Sequence, residues 1–263
     1  MPRRPVRMLR LASALLAVAA WAPVPSVLAA EGAAPPSVDP RAVEMVRAMS
    51  ATLAAAKVFT VHAEIAYDQV MHSGRKLQFA AAFDAQMRRP DGLAVAYLSD
   101  LGGKRLWYDG KSVTILDLLH HVYAATPAPA TSSALLTDLE AKQGISFPLA
   151  DFLADDPAAR LLGDVQSAFV VGPGDVDGTT CNHLAFSTSA LDWQIWLDAG
   201  ERSLPRKVVI TYRREPSLPQ FAALLSHWTF PASLPAKSFA ADLPGDANRV
   251  EFVAARNAQE EQK

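Results

Sequence analysis

The sequence of 263 residues contains one cysteine, Cys181. A single thiol cannot form an intramolecular disulfide, so the fold must be stabilised by its hydrophobic core even in an oxidising compartment. Half of the residues are hydrophobic, which is enough to build such a core. All-β proteins of this length commonly form one domain.

Long hydrophobic runs are also lacking. The N-terminal apolar stretch, residues 11–20, is interrupted by Ser13 and is shorter than the roughly 20 residues that cross a bilayer. Four arginines precede this stretch and the small residues Ala29 and Ala30 follow it, in the order typical of a signal peptide. No cysteine for lipid attachment lies at the cleavage point. We therefore expect an exported, periplasmic protein that is cleaved near Ala29 or Ala30 and has no stable membrane anchor.

An excess of basic residues is absent as well. Removal of residues 1–30 lowers the count of Lys and Arg from 25 to 21 while the 27 acidic residues remain, for a net charge of −6. Nucleic acids bind mainly through cationic side chains that neutralise phosphates. This charge therefore excludes nucleic acid as an expected partner.

Recognisable catalytic motifs are missing: the sequence has no nucleophile elbow, no HExxH segment and no glycine-rich phosphate loop. His120 and His121 are adjacent in an apparent strand and would point to opposite faces, so they cannot share a metal. Cys181 and His183 would share a face and could form half of a metal site or a thiol–imidazole pair, without a recognisable third ligand. The ordinary interpretation is a buried cysteine beside a surface histidine. We expect no metal, no cofactor and no enzymatic activity, with Cys181 and His183 as the single exception.

The pattern along the chain is that of a helix followed by strands. Asp39 is a predicted N-cap with Pro40 at the first helical position, and apolar residues recur at helical spacing up to about Ala56. Alternation of apolar and polar residues then predicts about five strands, a helical insertion near 126–163 and about five more strands. We expect one domain over 39–253, a flexible leader over 31–38 and a disordered tail over 254–263.

The connections between the predicted strands are too short for crossover helices, which favours an antiparallel sheet. A sheet of this size curls, and its concave face can be covered by the helical segments. The predicted fold is therefore mainly β (α+β), a large curved antiparallel sheet that forms an unclosed half-barrel with helices on the concave face. The small residues Ala80, Ala81 and Ala82 either leave space in the wall of this half-barrel or pack beneath the first helix.

Several short motifs occur in a characteristic order along the chain. They are Val58-Phe59, Arg89-Pro90, Tyr108-Asp109-Gly110-Lys111, Ile115-Leu116-Asp117, Ala236-Lys237-Ser238-Phe239 and Pro244-Gly245. This order resembles the periplasmic lipoprotein carrier LolA and its outer-membrane relative LolB. The arrangement is most similar to a family of predicted periplasmic proteins of unknown function with the same LolA-like fold.

The resemblance implies a hydrophobic cavity under a helical lid, and the arginine of the Arg-Pro motif, Arg89, is implied to contact that lid. Without the resemblance, Arg89 would be interpreted as a solvated turn residue. Trp193 and Trp196 have opposite parity on one strand, so one of them faces inward. The candidate cavity-lining residues are Ile65, Phe79, Phe83, Val95, Leu136, Leu139, Trp193 and Ile195.

Two functional hypotheses follow. The first is a periplasmic binding or carrier protein for a hydrophobic ligand, which could be a lipid, an acyl chain or a lipoprotein. The second is a non-enzymatic module on the same scaffold that interacts with or regulates an envelope protein.

Overall fold

The computed structural model describes residues 37–145 and 147–252. The predicted signal peptide 1–30, most of the predicted leader 31–38 and the predicted tail 254–263 lie outside the described residues.

The first helix, α1, spans Pro40–Ala55. Its N-cap is Asp39, whose carboxylate accepts a hydrogen bond from the backbone N–H of Arg41 at 2.9 Å. Val46, Met49 and Leu53 recur on one face and are fully buried, as expected for an amphipathic helix that packs on a core. The predicted start of this helix is confirmed.

Twelve strands lie in the described residues. They are β1 Val58–Val70, β2 Lys76–Arg88, β3 Gly92–Ser99, β4 Gly102–Tyr108, β5 Ser112–Asp117, β6 Val122–Pro127, β7 Ser167–Val176, β8 Thr179–Ser187, β9 Leu191–Asp198, β10 Pro205–Tyr212, β11 Gln220–Thr229 and β12 Asn248–Arg249.

These strands form one sheet in the order β12-β6-β5-β4-β3-β2-β1-β11-β10-β9-β8-β7. All neighbouring pairs are antiparallel except β12 and β6, which pair in parallel over two residues. The two edge strands, β12 and β7, do not pair with each other, so the sheet is not closed into a barrel. The predicted fold class, a mainly β protein with a large unclosed antiparallel sheet, is confirmed.

Strand β6 was not predicted, and the two histidines before it were assigned wrongly. His120 and His121 lie in the turn between β5 and β6, not in a strand. The carboxylate of Asp117 accepts hydrogen bonds from the backbone N–H groups of Leu119 and His120, and His121 has a φ of 53°. This local turn chemistry ends β5 and overrides the strand pattern.

Three helices connect β6 to β7: α2 Ser132–Gln143, α3 Ala150–Leu153 and α4 Pro157–Leu162. Helix α2 has Thr131 as its N-cap and ends at Gly144, which adopts a φ of 63°. None of the helices in the part of the chain that the structure describes is long and apolar enough to cross a membrane. Together with α1, these helices share one hydrophobic core with the inner face of the sheet.

The inner face of the sheet is covered unequally. At the end near the Arg89-Pro90 turn, which we call the closed end, Phe59 of β1 and Phe83 of β2 are fully buried. At the end near the turn that joins β1 to β2, which we call the open end, Tyr67 and Phe79 of the same two strands are only half-buried. The helical cover therefore extends over the closed end and runs out toward the open end.

The three consecutive alanines of β2 divide between the two faces of the sheet. Ala81 is buried in the hydrophobic core, whereas Ala80 is exposed and Ala82 is half-buried on the outer face. A β-strand alternates the direction of its side chains, so a run of three cannot widen one wall. The three alanines as a group therefore neither leave space in the wall of the half-barrel nor pack together beneath the first helix.

Candidate functional site

A cavity of about 380 Å³ lies where the helical cover meets the inner face of β9, β10 and β11. Ten of its fifteen lining residues are apolar, which makes it a site for hydrophobic groups. The sheet contributes Thr188, Leu191, Trp193, Val208, Ile210, Tyr212 and Phe221, and the helical segment contributes Phe147, Pro148, Leu149, Asp151, Phe152, Arg160, Leu161 and Asp164.

The sheet wall of the cavity belongs to a row of large side chains that crosses six neighbouring strands. Each member is the register partner of the next, so all of them face the same side of the sheet. The row runs Phe186, Trp193, Ile210, Phe221, Tyr67 and Phe79. The rings of Phe186 and Trp193 stack with centroids 4.0 Å apart, and those of Tyr67 and Phe79 stack at 5.9 Å.

Burial falls along this row. Phe186 is 2% exposed and Trp193 is 6% exposed, whereas the remaining members are half-buried. The cavity lies at this transition, because Trp193 is one of its lining residues and so are Ile210 and Phe221. Beyond the cavity, burial and the nearby Tyr67 hydroxyl raise the pKa of Tyr97 to about 12. Because the row continues past the cavity from Phe221 to Tyr67 and Phe79, an apolar ligand in the cavity would extend the covered surface along an aromatic wall.

The helical wall is formed by a segment with little regular structure. Phe147 precedes α3, Phe152 lies within it and Leu161 lies in α4. Leu149 adopts a φ of 62° and caps α3, which has only four residues. Helices this short cannot present a continuous apolar stripe, and the space beneath them is left partly unfilled.

Polar groups lie at one side of the cavity. The guanidinium of Arg160 is 3.6 Å from the carboxylate of Asp151 and donates a hydrogen bond to the hydroxyl of Thr137 at 2.9 Å. Burial raises the pKa of Asp151, and the nearby Arg160 opposes this effect. Burial also raises the pKa of Tyr212. The site thus combines an apolar interior with a few ionisable groups at its margin.

Arg89 fastens the helical segment to the closed end of the sheet. Its guanidinium donates to the carboxylate of Asp155 and to the carbonyl oxygen of Ala154, both at 2.8 Å. The carbonyl oxygen of Pro90 accepts from the backbone N–H of Ser132 at 2.7 Å, which ties the start of α2 to the same turn. The Arg89 side chain is 10% exposed, and burial lowers its pKa. Arg89 is thus not a solvated turn residue.

A family model described as "Predicted periplasmic protein (DUF2092)" matches residues 42–253, which is most of the chain. The chain belongs to this family. The resemblance to a family of predicted periplasmic proteins is confirmed, and the family description agrees with the predicted periplasmic location. No curated protein matches the chain in sequence.

Solved structures of three bacterial proteins align with most of the chain. The lipoprotein LppX of Mycobacterium tuberculosis has 10% identity over 75% of this chain and 100% of its own, with a TM-score of 0.46. LprF of Mycobacterium bovis has 12% identity over 77% and 98%, with a TM-score of 0.43. A LolA superfamily protein of Nitrosomonas europaea has 11% identity over 76% and 97%, with a TM-score of 0.37. Because these scores are below 0.5, the fold assignment rests on the sheet order of the chain itself.

Among the eight residues predicted to line a cavity, Trp193 lines the 380 Å³ cavity. The others lie elsewhere on the inner side of the protein. Phe79 is half-buried and is the last member of the row of large side chains described above. The remaining six are buried members of the hydrophobic core: Ile65, Phe83, Val95, Leu136, Leu139 and Ile195.

These six residues are packed in the core, and do not border the cavity, because of the path that the helical cover takes over the sheet. Alternation along a strand identifies the inward face, and the four core residues that lie in strands do point inward, whereas Leu136 and Leu139 lie on the buried face of α2. Whether an inward side chain meets a helix or an open space depends on segments distant in sequence. Ile210 and Phe221 were within reach of the sequence analysis because they occupy inward positions of predicted strands, whereas Phe147 and Phe152 lie in a segment without periodicity.

Cys181 and His183 do not interact with each other. The thiol of Cys181 is fully buried and donates to the carbonyl oxygen of Thr179 at 3.3 Å, and burial raises its pKa, which is opposite to what a nucleophile needs. The ring of His183 stacks on Trp196 at 3.9 Å and its Nε2 lies 2.9 Å from the amide oxygen of Gln194. Within residues 37–145 and 147–252, no group of three or more His, Cys, Asp or Glu residues is arranged to hold a metal ion.

Proposed function

We propose that this protein binds a hydrophobic ligand, a lipid or an acyl chain, in the periplasm and carries it in the cavity beneath its helical segment. The observation that supports the proposal is the position of the cavity. It lies where the burial of a continuous apolar row falls from nearly complete to partial, at Trp193, Ile210 and Phe221.

The chemistry of the lining favours binding. Apolar surface that leaves water contributes about 25 cal/mol per Å² to binding, and ten of the fifteen lining residues provide such surface.

A carrier also needs a cover that stays attached to the sheet while its outer part gives way to a ligand. The Arg89 contacts hold the helical segment at the closed end, whereas no such charged anchor joins it to the sheet in the described part of the open end. This asymmetry supports entry of the ligand from the open end.

The proposal can be tested with an apolar fluorescent reporter, N-phenyl-1-naphthylamine, added to the purified mature protein. We expect the emission of the reporter to rise on binding, and Ile210→Glu to weaken its binding at least about tenfold, because a carboxylate in the cavity must lose its hydration. Val209→Glu is the matched control, since Val209 is the next residue of β10 and faces the opposite side of the sheet.

Far-UV circular dichroism and the unfolding midpoint would establish that both variants are folded. A second pair, Phe221→Glu in the cavity and Leu224→Glu on the outer face of β11, repeats the comparison if Ile210→Glu does not fold. The proposal fails if the folded parent protein does not bind the reporter, or if both members of a pair weaken binding equally.

A further inference from the structure

The volume of the cavity limits the size of its ligand. At about 30 Å³ for each water-sized group, a space of 380 Å³ holds roughly a dozen non-hydrogen atoms. One hydrocarbon tail of about that length fills the covered space, and a second tail of the same lipid would lie outside it, on the half-buried wall toward the open end.

Charges on the helical side of the cavity margin are mostly negative. Asp151 and Asp164 both line the cavity, and the single cation of the described lining is Arg160, whose guanidinium is 3.6 Å from the carboxylate of Asp151. Arg160 is also 3.9 Å from the carboxylate of Glu140 on α2. Asp151 and Glu140 therefore share one guanidinium, whose positive charge they already offset, and Asp164 adds a further negative charge to the lining.

Charges on the sheet side do not change this balance. Arg213 donates a hydrogen bond to the carbonyl oxygen of Thr188, and its Nε is 3.5 Å from the carboxylate of Asp192. Arg214 and Glu215, which follow in the chain, have opposite charges. The sheet side of the margin is close to neutral, so the helical carboxylates dominate the local potential.

We propose that the ligand of this cavity is an amphiphile with one tail of about a dozen carbons and a head group without negative charge. An anionic head would lie beside Asp151 and Asp164, which outnumber the single cation of the described lining, and like charges near a protein surface repel each other. A hydroxyl or ammonium head can instead donate hydrogen bonds to Asp151 or Asp164. This inference rests on the proposed function, because it assigns a ligand class to the same cavity.

The test is displacement of N-phenyl-1-naphthylamine by ligands with the same twelve-carbon tail, at about pH 8 and below their micelle concentrations. Dodecylamine carries a positive head group, monolauroylglycerol a neutral one and laurate a negative one, and dilauroylglycerol has two tails. We expect dodecylamine and monolauroylglycerol to displace the reporter at concentrations about tenfold lower than laurate, a ratio that corresponds to about 1.4 kcal/mol. Dilauroylglycerol should displace it weakly.

Two variants link this preference to the cavity. Asp151→Asn and Asp164→Asn should each reduce the ratio between the concentrations at which laurate and dodecylamine displace the reporter. Asp177→Asn is the matched control because it removes the same charge from an exposed turn between β7 and β8, and asparagine tolerates the φ of 51° at that position.

The inference is overturned if laurate competes as well as monolauroylglycerol, if dilauroylglycerol competes as well as the single-tailed ligand, or if Asp177→Asn changes the preference as much as the two cavity variants. In these cases the reporter still binds and the proposed carrier function stands. If the reporter does not bind to the folded parent protein, the proposed function and this inference fail together.

Discussion

The closed and open ends of the inner face are built from the same strands and differ in what covers them. On β1, Phe59 at the closed end is fully buried and Tyr67 at the open end is half-buried. On β2, Phe83 and Phe79 show the same contrast. The strands continue unchanged from one end to the other, so the difference arises from the helices above them.

This difference shows how one sheet can serve two purposes. At the closed end, helical residues such as Leu53 and Leu135 complete a packed core with the strands, and this core supplies stability. Over the cavity, the cover consists of helices of four and six residues, which are too short to fill the space beneath them. Stability and ligand binding are thereby separated along the length of the strands.

The largest expected effect comes from breaking the closed end. Phe83→Ala should lower the free energy of unfolding by about 3–5 kcal/mol, because it leaves a void at a fully buried site. Phe79→Ala, four residues earlier on the same face of β2, should lower it by only about 1 kcal/mol. Urea unfolding followed by circular dichroism measures both values, and equal losses would contradict the contrast between the two ends.

A smaller effect is expected from releasing the helical segment. Arg89→Met removes the charge-assisted hydrogen bonds to Asp155 and Ala154, and it should lower the free energy of unfolding by about 1.5–3 kcal/mol. Amide hydrogen exchange should become faster in α3 and α4, because the segment between them loses its attachment to the sheet.

Arg41→Gln is the control for this variant. Arg41 forms an ion pair with Asp39 at 2.8 Å, but its side chain is 75% exposed, so its loss should leave the free energy of unfolding nearly unchanged. If Arg41→Gln and Arg89→Met have the same effect on exchange in α3 and α4, Arg89 is not the anchor.

The smallest effect concerns the carboxyl of Asp151 at the cavity. Because burial raises its pKa above the value of 3.8, the stability associated with its protonated form is fully present at low pH and is lost as the pH rises through the folded-state pKa. Asp151→Asn remains neutral, so at about pH 7 it should be more stable than the parent by a few tenths of a kcal/mol, since half of the side chain is exposed to screening water. Unfolding midpoints measured at about pH 3 should be equal for the two proteins, and a difference that persists there would exclude ionisation as its cause.

Much of the fold could be predicted because its signals are local. The apolar alternation from Phe59 to Tyr67 identified both a strand and its inward face, and Asp39 with Pro40 marked the start of α1. The turn at His120 and His121 was missed because its cause is a set of hydrogen bonds. The carboxylate of Asp117 accepts them from the backbone and holds the segment in a turn despite its strand-like pattern. The candidate site was predictable only in part, since the inward orientation of Trp193 is local but the space beside it is not.

The chain by itself determined most of the elements, their approximate starts and which residues of the predicted strands face inward, because these properties depend on spacing within a few residues. The tertiary structure alone decided which inward residues are packed and which border a cavity. Ile195 and Trp193 are neighbours on the same face of β9, and yet only Trp193 lines the cavity. The distinction depends on where the segment from Phe147 to Leu161 crosses the sheet, and that path is set by contacts between residues far apart in sequence, among them the bond from Arg89 to Asp155.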